Sequence, residues 1–391
     1  MHPKTRLAIL ASHPIQYYAP MFRELAKQVN LHVFYAHSAT PDQQAAAGFG
    51  HAFEWDINLT DGYPHSFLTN VSRQPGTDWF GGCDTPEIYR KLKQGDFSVV
   101  LTLGWHLKSM VQGIVAAKRL GLPVLVRGDS QLSTPRSQLK KWAKAIAYPI
   151  LLRAFDAALY VGKNNHDYWR HYRFPESRLF FSPHCVESTR FAEGATPAAR
   201  ASLRERLGIA ESSYVFLFAG KLVPFKRPLD IVHAISIARA KGTDCRLMVA
   251  GSGPLEEELI KLATELEVPA DLLGFQNQTH MPTAYAAADV LVLPSDSRET
   301  WGLVANEALA SGLPIIVSNE VGCAPDLAVD RKISQTFEAG NVTSLATAIQ
   351  SIPLSRNLAE MKLLSDGHSI EAAIKGICRS LEFVLISKQS N

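Results

Sequence analysis

Tyr214-Val215-Phe216-Leu217-Phe218-Ala219-Gly220-Lys221-Leu222-Val223-Pro224-Phe225-Lys226-Arg227-Pro228 runs from an apolar strand through a cationic loop into the start of a helix. A strand without a charge suits burial on both faces of a sheet, and Pro228 presets φ for a first helical residue. The pattern then repeats: a helix over 228–240, a strand over 246–250, a helix over 254–266 and strands over 271–273 and 290–294 are predicted, followed by a helix over 302–311 and a strand over 314–317. Short apolar runs alternating with helical spacing are strand-helix-strand units on a mainly parallel sheet, so the class is α/β.

The same rhythm extends toward the N-terminus. Strands are predicted over 7–11, 31–35, 98–103, 124–126 and 157–161, and helices over 20–28, 107–120 and 137–155. Between them, 40–84 reads as irregular loops with one strand, because it is rich in Gly, Asp, Pro and aromatics, including Phe53-Glu54-Trp55 and Asp61-Gly62-Tyr63-Pro64. Glu193-Gly194-Ala195-Thr196-Pro197 is the expected hinge, with Thr196 as N-cap and Pro197 opening a helix that ends at Gly208. Ile370, Ile374, Ile377, Leu381 and Val384 give the last segment one apolar helical face.

A length of 391 residues implies two domains, and 46% hydrophobic residues against 20% charged ones can build their cores. Forty Lys and Arg against 37 Asp and Glu leave only +3, too weak a bias for a nucleic-acid surface. Cys83, Cys185, Cys245, Cys323 and Cys378 are scattered and never paired as C-x-x-C, which fits a reducing cytoplasm better than a disulfide or zinc framework. The apolar run over 7–11 is too short to be a membrane span or a leader's apolar region.

Open α/β sheets bind ligands outside the carboxyl ends of their strands, so two such domains face each other across a cleft lined by strand-to-helix loops. In one loop Lys221, Lys226 and Arg227 lie between a strand end and a helix N-terminus, where a phosphate or diphosphate is the natural guest; solvated loop charges are the alternative. After the strand over 290–294 come Glu299-Thr300-Trp301-Gly302-Leu303 and, on the next helix, Glu307. A carboxylate there can accept bonds from vicinal sugar hydroxyls, and amides near Gly302 and Leu303 can hold phosphate. Ala250-Gly251-Ser252-Gly253-Pro254 is a tight turn lacking the full dinucleotide fingerprint, and Gly274-Phe275 leaves another strand with an aromatic that could frame a base or pack in the core.

Gly220-Lys221-Leu222 with Lys226, the turn 250–254, Leu273-Gly274-Phe275, and Glu299 with Glu307 before Ala308-Leu309-Ala310-Ser311-Gly312 resemble, in order and spacing, the nucleotide-sugar site of the retaining glycosyltransferases of family 4. Pro183-His184-Cys185-Val186-Glu187 is similar to that family's interdomain motif. The resemblance implies two facing Rossmann-like domains of GT-B type: an acceptor domain over 1–190, a donor domain over 191–368, and a C-terminal helix over 369–391 packing back on the first. It implies a UDP- or GDP-sugar donor held by Gly220, Gly251, Gly274, Phe275, Thr300, Trp301, Gly302 and Leu303. Lys221 and Lys226 would meet the diphosphate, Glu299 the transferred sugar and Glu307 the ribose, with no metal and no cofactor. Lys221 stands where Arg is commoner, and Asp326 where Glu is usual.

On the acceptor side, His13 and Gln16 follow the strand over 7–11, His106 that over 98–103, and Arg127 and Asp129 that over 124–126; His106 could orient an acceptor hydroxyl and Asp129 accept its proton. The acceptor is expected to be a glycan or a lipid-linked glycan. Residues 137–153, with Lys140, Lys141, Trp142, Lys144 and Arg153 beside Ile146, Ile150 and Leu151, read either as a helix lying on an anionic bilayer or as an ordinary cover for the sheet. A nucleotide-sugar epimerase, a sugar-phosphate synthase and a non-catalytic binding subunit are the competing readings.

Overall fold

A computed structural model of the chain describes residues 5–38, 40, 53–353 and 357–389; of the loop expected over 40–84, residues 41–52 lie outside them. Seven parallel strands form the first sheet: β1 (Arg6–Ala11), β2 (Asn30–Tyr35), β3 (His65–Phe67), β4 (Val99–Leu103), β5 (Val124–Gly128), β6 (Ala157–Tyr160) and β7 (Leu179–Phe181). Their order is β3-β2-β1-β4-β5-β6-β7, which places β1 and β4 side by side where the winding reverses. The second sheet has β8 (Tyr214–Ala219), β9 (Cys245–Ala250), β10 (Ala270–Gly274), β11 (Val290–Leu293), β12 (Ile315–Ser318) and β13 (Ser334–Phe337), in the order β10-β9-β8-β11-β12-β13. In each case the reversal point opens a crevice at the strands' carboxyl ends.

Central strands are apolar throughout because helices cover both faces. Val215, Leu217 and Ala219 of β8 pack with Phe191, Tyr285 and Ala308 on one side, while Phe216 and Phe218 pack with Ile231, Ile235 and Leu345 on the other. The predicted helices over 228–240 and 107–120 are found as Pro228–Ala240 and Lys108–Arg119. That over 137–155 stops at Leu151 and tightens into a 3-10 turn, and the one over 302–311 is shorter, Val304–Ala310. Thr196 caps Pro197–Arg206, its hydroxyl accepting from the Ala199 amide at 3.1 Å.

The crossing between the sheets lies at 182–187, ahead of the expected hinge. Phe191 is the reason: it is fully buried in the second core, which draws helix Ser188–Gly194 onto that domain. Helix Ile370–Gln389 packs against helix Tyr18–Ala26 and strands β6 and β7, burying Ile374, Ile377 and Leu381 in the first core.

Candidate functional site

Three glycine-ended strands build the floor. Gly220, Gly251 and Gly274 close β8, β9 and β10 with positive φ, and their backbones interlock: Gly220 N–H donates to Ala250 O at 2.9 Å, and Gly251 N–H to Gly274 O at 2.8 Å. A Cβ on Gly251 would sit 1.9 Å from Gly220 O, so only glycine permits this approach. Above these loops is a cavity of about 420 Å³. Lys221, Lys226, Phe275 and Glu307 line it from the C-terminal domain, and Gln16, Tyr17 and Trp55 from the N-terminal one.

Two charges of opposite sign sit beside this cavity. Lys226, carried on the 3-10 turn Pro224–Lys226, donates from Nζ to Glu299 Oε2 at 2.6 Å, and Ser295 Oγ donates to the same oxygen at 3.2 Å. Burial, followed by the nearby Lys226 ammonium, lowers the pKa of Lys221, although Asp78 and Glu299 act in the other direction. The two ammonium groups stand next to the glycine loops, where a diphosphate could be held.

Glu307 is 1% exposed. Tyr285 OH donates to its Oε2 at 2.6 Å, while Oε1 is buried without a hydrogen-bond partner. Burial pushes the carboxyl up to about 7, opposed by Tyr285, by Tyr17 reaching across from the N-terminal domain, and by the more distant Arg190. An acceptor oxygen left unsatisfied at the wall of a cavity is what a ligand diol would complete.

The expected site residues that follow Glu299 divide. Thr300 turns toward the N-terminal domain, and its Oγ1 donates to Asp129 Oδ2 at 2.7 Å. Trp301 does not face the cavity: its ring is buried between His184 and His368, and its Nε1 donates to Asn306 Oδ1 at 2.8 Å. Gly302 takes positive φ, and Leu303 packs on the core at the N-cap of helix Val304–Ala310. Among the described residues the amides of 300–303 have no acceptor, and none of the four residues lines the cavity.

On the N-terminal side, His13 bonds Ser12 Oγ at 3.0 Å, and burial, then the neighbouring His37, takes its pKa down to about 4, so it is neutral. His106 is exposed and within electrostatic reach of His13 and Asp129. Burial tends to raise the Asp129 carboxyl, but His184, 3.8 Å away, and the Thr300 hydroxyl outweigh it and hold the pKa well below the usual range. Arg127 departs from its expected place among acceptor contacts. It is 1% exposed and spends its guanidinium on Ser182 Oγ, Ser182 O, Pro183 O and Tyr18 OH, stitching β5 to the interdomain segment.

Gln131, which sequence reasoning passed over, and Asp326, noted there only for standing where Glu is usual, join the two halves. Gln131 Nε2 donates to Ser297 O at 2.9 Å and to Glu299 O at 3.4 Å, and Asp326 accepts from the Lys163 amide at the head of helix Lys163–His171. Gly322, too, lies so close that a Cβ would be 1.8 Å from Thr300 O. None carries a spacing signal, since each acts on a partner more than 20 positions away. Among the described residues no group of three or more His, Cys, Asp and Glu is placed to hold a metal.

Residues 199–362 match the family described as glycosyl transferases group 1. Among curated proteins, the chain is similar to the GDP-mannose-dependent alpha-(1-6)-phosphatidylinositol monomannoside mannosyltransferase of Mycolicibacterium smegmatis, at 30% identity over 183 residues, 45% of this chain and 47% of that protein. The chain thus spans about half the length of the curated relatives it matches. Among solved structures, a glycosyltransferase from Rickettsia africae ESF-5 superposes with a TM-score of 0.72 at 14% identity, covering 98% of this chain and 99% of that one. HepE of Anabaena in complex with UDP gives 0.73 at 15% identity, covering 97% and 99%. A family match confined to residues 199–362 of the C-terminal domain thus stands beside a two-domain fold that the chain shares along its length with a solved glycosyltransferase.

Proposed function

We propose that the protein is a retaining, metal-independent glycosyltransferase of family 4 that moves a sugar from a UDP- or GDP-sugar to a glycan or lipid-linked acceptor, in the synthesis of a cell-surface polysaccharide or glycolipid. The observation that carries this reading is Glu307, a buried carboxylate with one unsatisfied oxygen, sharing a cavity with Lys221 and Lys226 above three glycine loops. A ribose diol would complete Glu307, and the diphosphate would lie beside the two ammonium groups. The similar mycobacterial protein uses GDP-mannose by its name, and the Anabaena structure holds UDP; both support a nucleotide donor and leave its base open. The same reading makes the protein cytoplasmic and peripheral on the inner face of the membrane.

Chemically, the bond from the sugar's anomeric carbon to the diphosphate oxygen breaks and a bond to the acceptor oxygen forms on the same face. The acceptor proton passes to the departing phosphate oxygen. Charge grows on the diphosphate as this happens, and Lys221 and Lys226 are fixed where they would stabilise it without a metal. Glu299, held by Lys226 and Ser295, would orient the sugar.

A thermal-shift screen against UDP, GDP, ADP and their sugar conjugates in the presence of EDTA tests the donor site, because a ligand that binds only the folded state raises its apparent stability. One nucleotide class is expected to stabilise wild type and to lose that effect in Glu307→Ala. No stabilisation of a folded sample by any of them would overturn the assignment. Products formed with and without an acceptor separate transfer from epimerisation, and their anomeric configuration tests retention.

A further inference from the structure

Helix Gln138–Leu151 is oriented the wrong way round for a helix that merely covers a sheet. Taking about 100° per residue, Leu139, Ile146 and Ile150 fall within about 40° of one another, Trp142 lies to one side, and Tyr148 points in the opposite direction. Tyr148 is the face that packs on the protein, with its ring 5.0 Å from Tyr172 and 6.3 Å from Trp105. The apolar row therefore faces outward. Leu139 is 80% exposed, Trp142 69%, Ile146 71% and Ile150 66%, and no residue of the helix is buried. An exposed row of this kind marks an interaction surface.

Its electrostatics select the partner. From 130 to 155 the sequence carries Arg136, Lys140, Lys141, Lys144 and Arg153 and no Asp or Glu. Lys140 is exposed about 100° from the apolar row and Lys141 is exposed on the Tyr148 side, while Lys144 is tied over the Tyr148 ring at 4.7 Å. An exposed apolar row on a segment whose charged residues are all cationic matches the boundary between acyl chains and anionic headgroups. We propose that this helix docks the protein on an anionic lipid bilayer, and that the acceptor is accordingly lipid-linked. The proposal deepens the transferase reading and rests on it only for the acceptor. The helix follows the loop that carries Asp129 and Gln131, and its inner face touches Trp105, the neighbour of His106. Docking would bring the mouth of the acceptor side to the bilayer surface.

The test uses the full chain in flotation with vesicles of phosphatidylcholine alone and of phosphatidylcholine mixed with phosphatidylglycerol, at low and high salt. Wild type is expected to float with the anionic vesicles at low salt and to bind neutral ones at least tenfold more weakly. Trp142→Glu with Ile146→Glu should lose anionic binding by more than tenfold, and Lys140→Glu with Lys141→Glu by several-fold with loss of the salt dependence. Nucleotide-induced thermal stabilisation is read on each variant, so a misfolded variant or a failed donor site shows itself separately. Equal binding to both vesicle types, no binding to either, or binding retained by Trp142→Glu with Ile146→Glu would overturn the proposal. So would a concentration-dependent oligomer in sedimentation that the same pair of substitutions dissolves, because the face would then belong to a second copy.

Discussion

Lys226 Nζ and Glu299 Oε2 are 2.6 Å apart across the mouth of the glycine-floored cavity, joining the 3-10 turn after β8 to the loop after β11. Both side chains are largely removed from water, so neither charge is well accommodated without the other. The pair fixes the carboxylate in place and leaves the cationic character of the site to be shared with Lys221.

Lys226→Met should therefore impair two things at once. Charge stabilisation of the departing diphosphate is lost, and Glu299 is left unpaired. Turnover is expected to fall by roughly 10² to 10³, the scale of removing one electrostatic stabiliser. Steady-state kinetics measure it; turnover unchanged within about twofold would remove Lys226 from the reaction.

The Glu307 carboxyl stands at about 7 in the folded chain, against 4.5 for an ordinary Glu, because burial disfavours its charge. The folded state thus holds a proton that the unfolded state releases between these two values. Stability contributed by the protonated form is complete below about 4.5 and declines as pH rises to about 7, by an amount on the order of 3 kcal/mol. Chemical denaturation of wild type and Glu307→Gln should diverge over that interval, the variant becoming relatively more stable toward pH 7. A ligand diol donating to the carboxylate favours its ionised form, so nucleotide affinity should rise with pH through about 7. Parallel stability curves for the two proteins would contradict this.

Gly322 does not have the left-handed backbone that favours glycine, and its constraint is steric. A Cβ would lie 1.8 Å from Thr300 O and 3.0 Å from Trp301 N, and the Gly322 amide donates to Glu299 O at 3.0 Å. Gly322→Ala should displace the loop that carries Glu299 and Thr300, costing roughly 1–3 kcal/mol of stability along with most activity. Gly367→Ala, where nothing lies within 4 Å, is the control. Equal melting temperatures for the two variants would show that the loop tolerates the added methyl.

Arg127 and Asp129 are two positions apart and should behave oppositely. Arg127→Lys loses the planar fork that reaches Ser182 O and Pro183 O together, so a fall in melting temperature is expected with nucleotide binding retained. Asp129→Asn should leave the fold and nucleotide binding intact while lowering acceptor-dependent kcat/KM at least tenfold, because Asp129 meets Thr300 at the acceptor side. Calorimetry and acceptor titrations separate them; the reverse pattern would exchange their roles.

Much of the fold was legible because buried parallel strands are apolar along their length and the helices between them repeat with a different period. Tyr214–Ala219 and Val290–Leu293 both read as strands for that reason. Ser334–Phe337 was missed: on this edge strand Gln335 is half-buried and Thr336 exposed, so the run is not continuously apolar. Helix Lys163–His171, with Asn164, Asn165 and Asp167, is polar for most of its length and is held at its head by Asp326 from the other domain. The cationic loop, the paired acids and the glycine turns could be found because each is local to one strand end.

What the sequence determined alone was the class and the two-fold repetition of the α/β pattern, since short-range spacing encodes strand, turn and helix; it also singled out Lys221, Lys226, Glu299 and Glu307 as candidates. Tertiary structure decided which neighbours these residues meet. It sent Trp301 into the core and Thr300 to Asp129, buried Arg127 as a structural tie, and brought Tyr17 from one domain and Tyr285 from the other to Glu307. It also turned the apolar face of helix Gln138–Leu151 outward, because Tyr148 on the opposite face found a partner in the aromatic core. Those outcomes depend on contacts between segments far apart in the chain, and packing, not local periodicity, sets them.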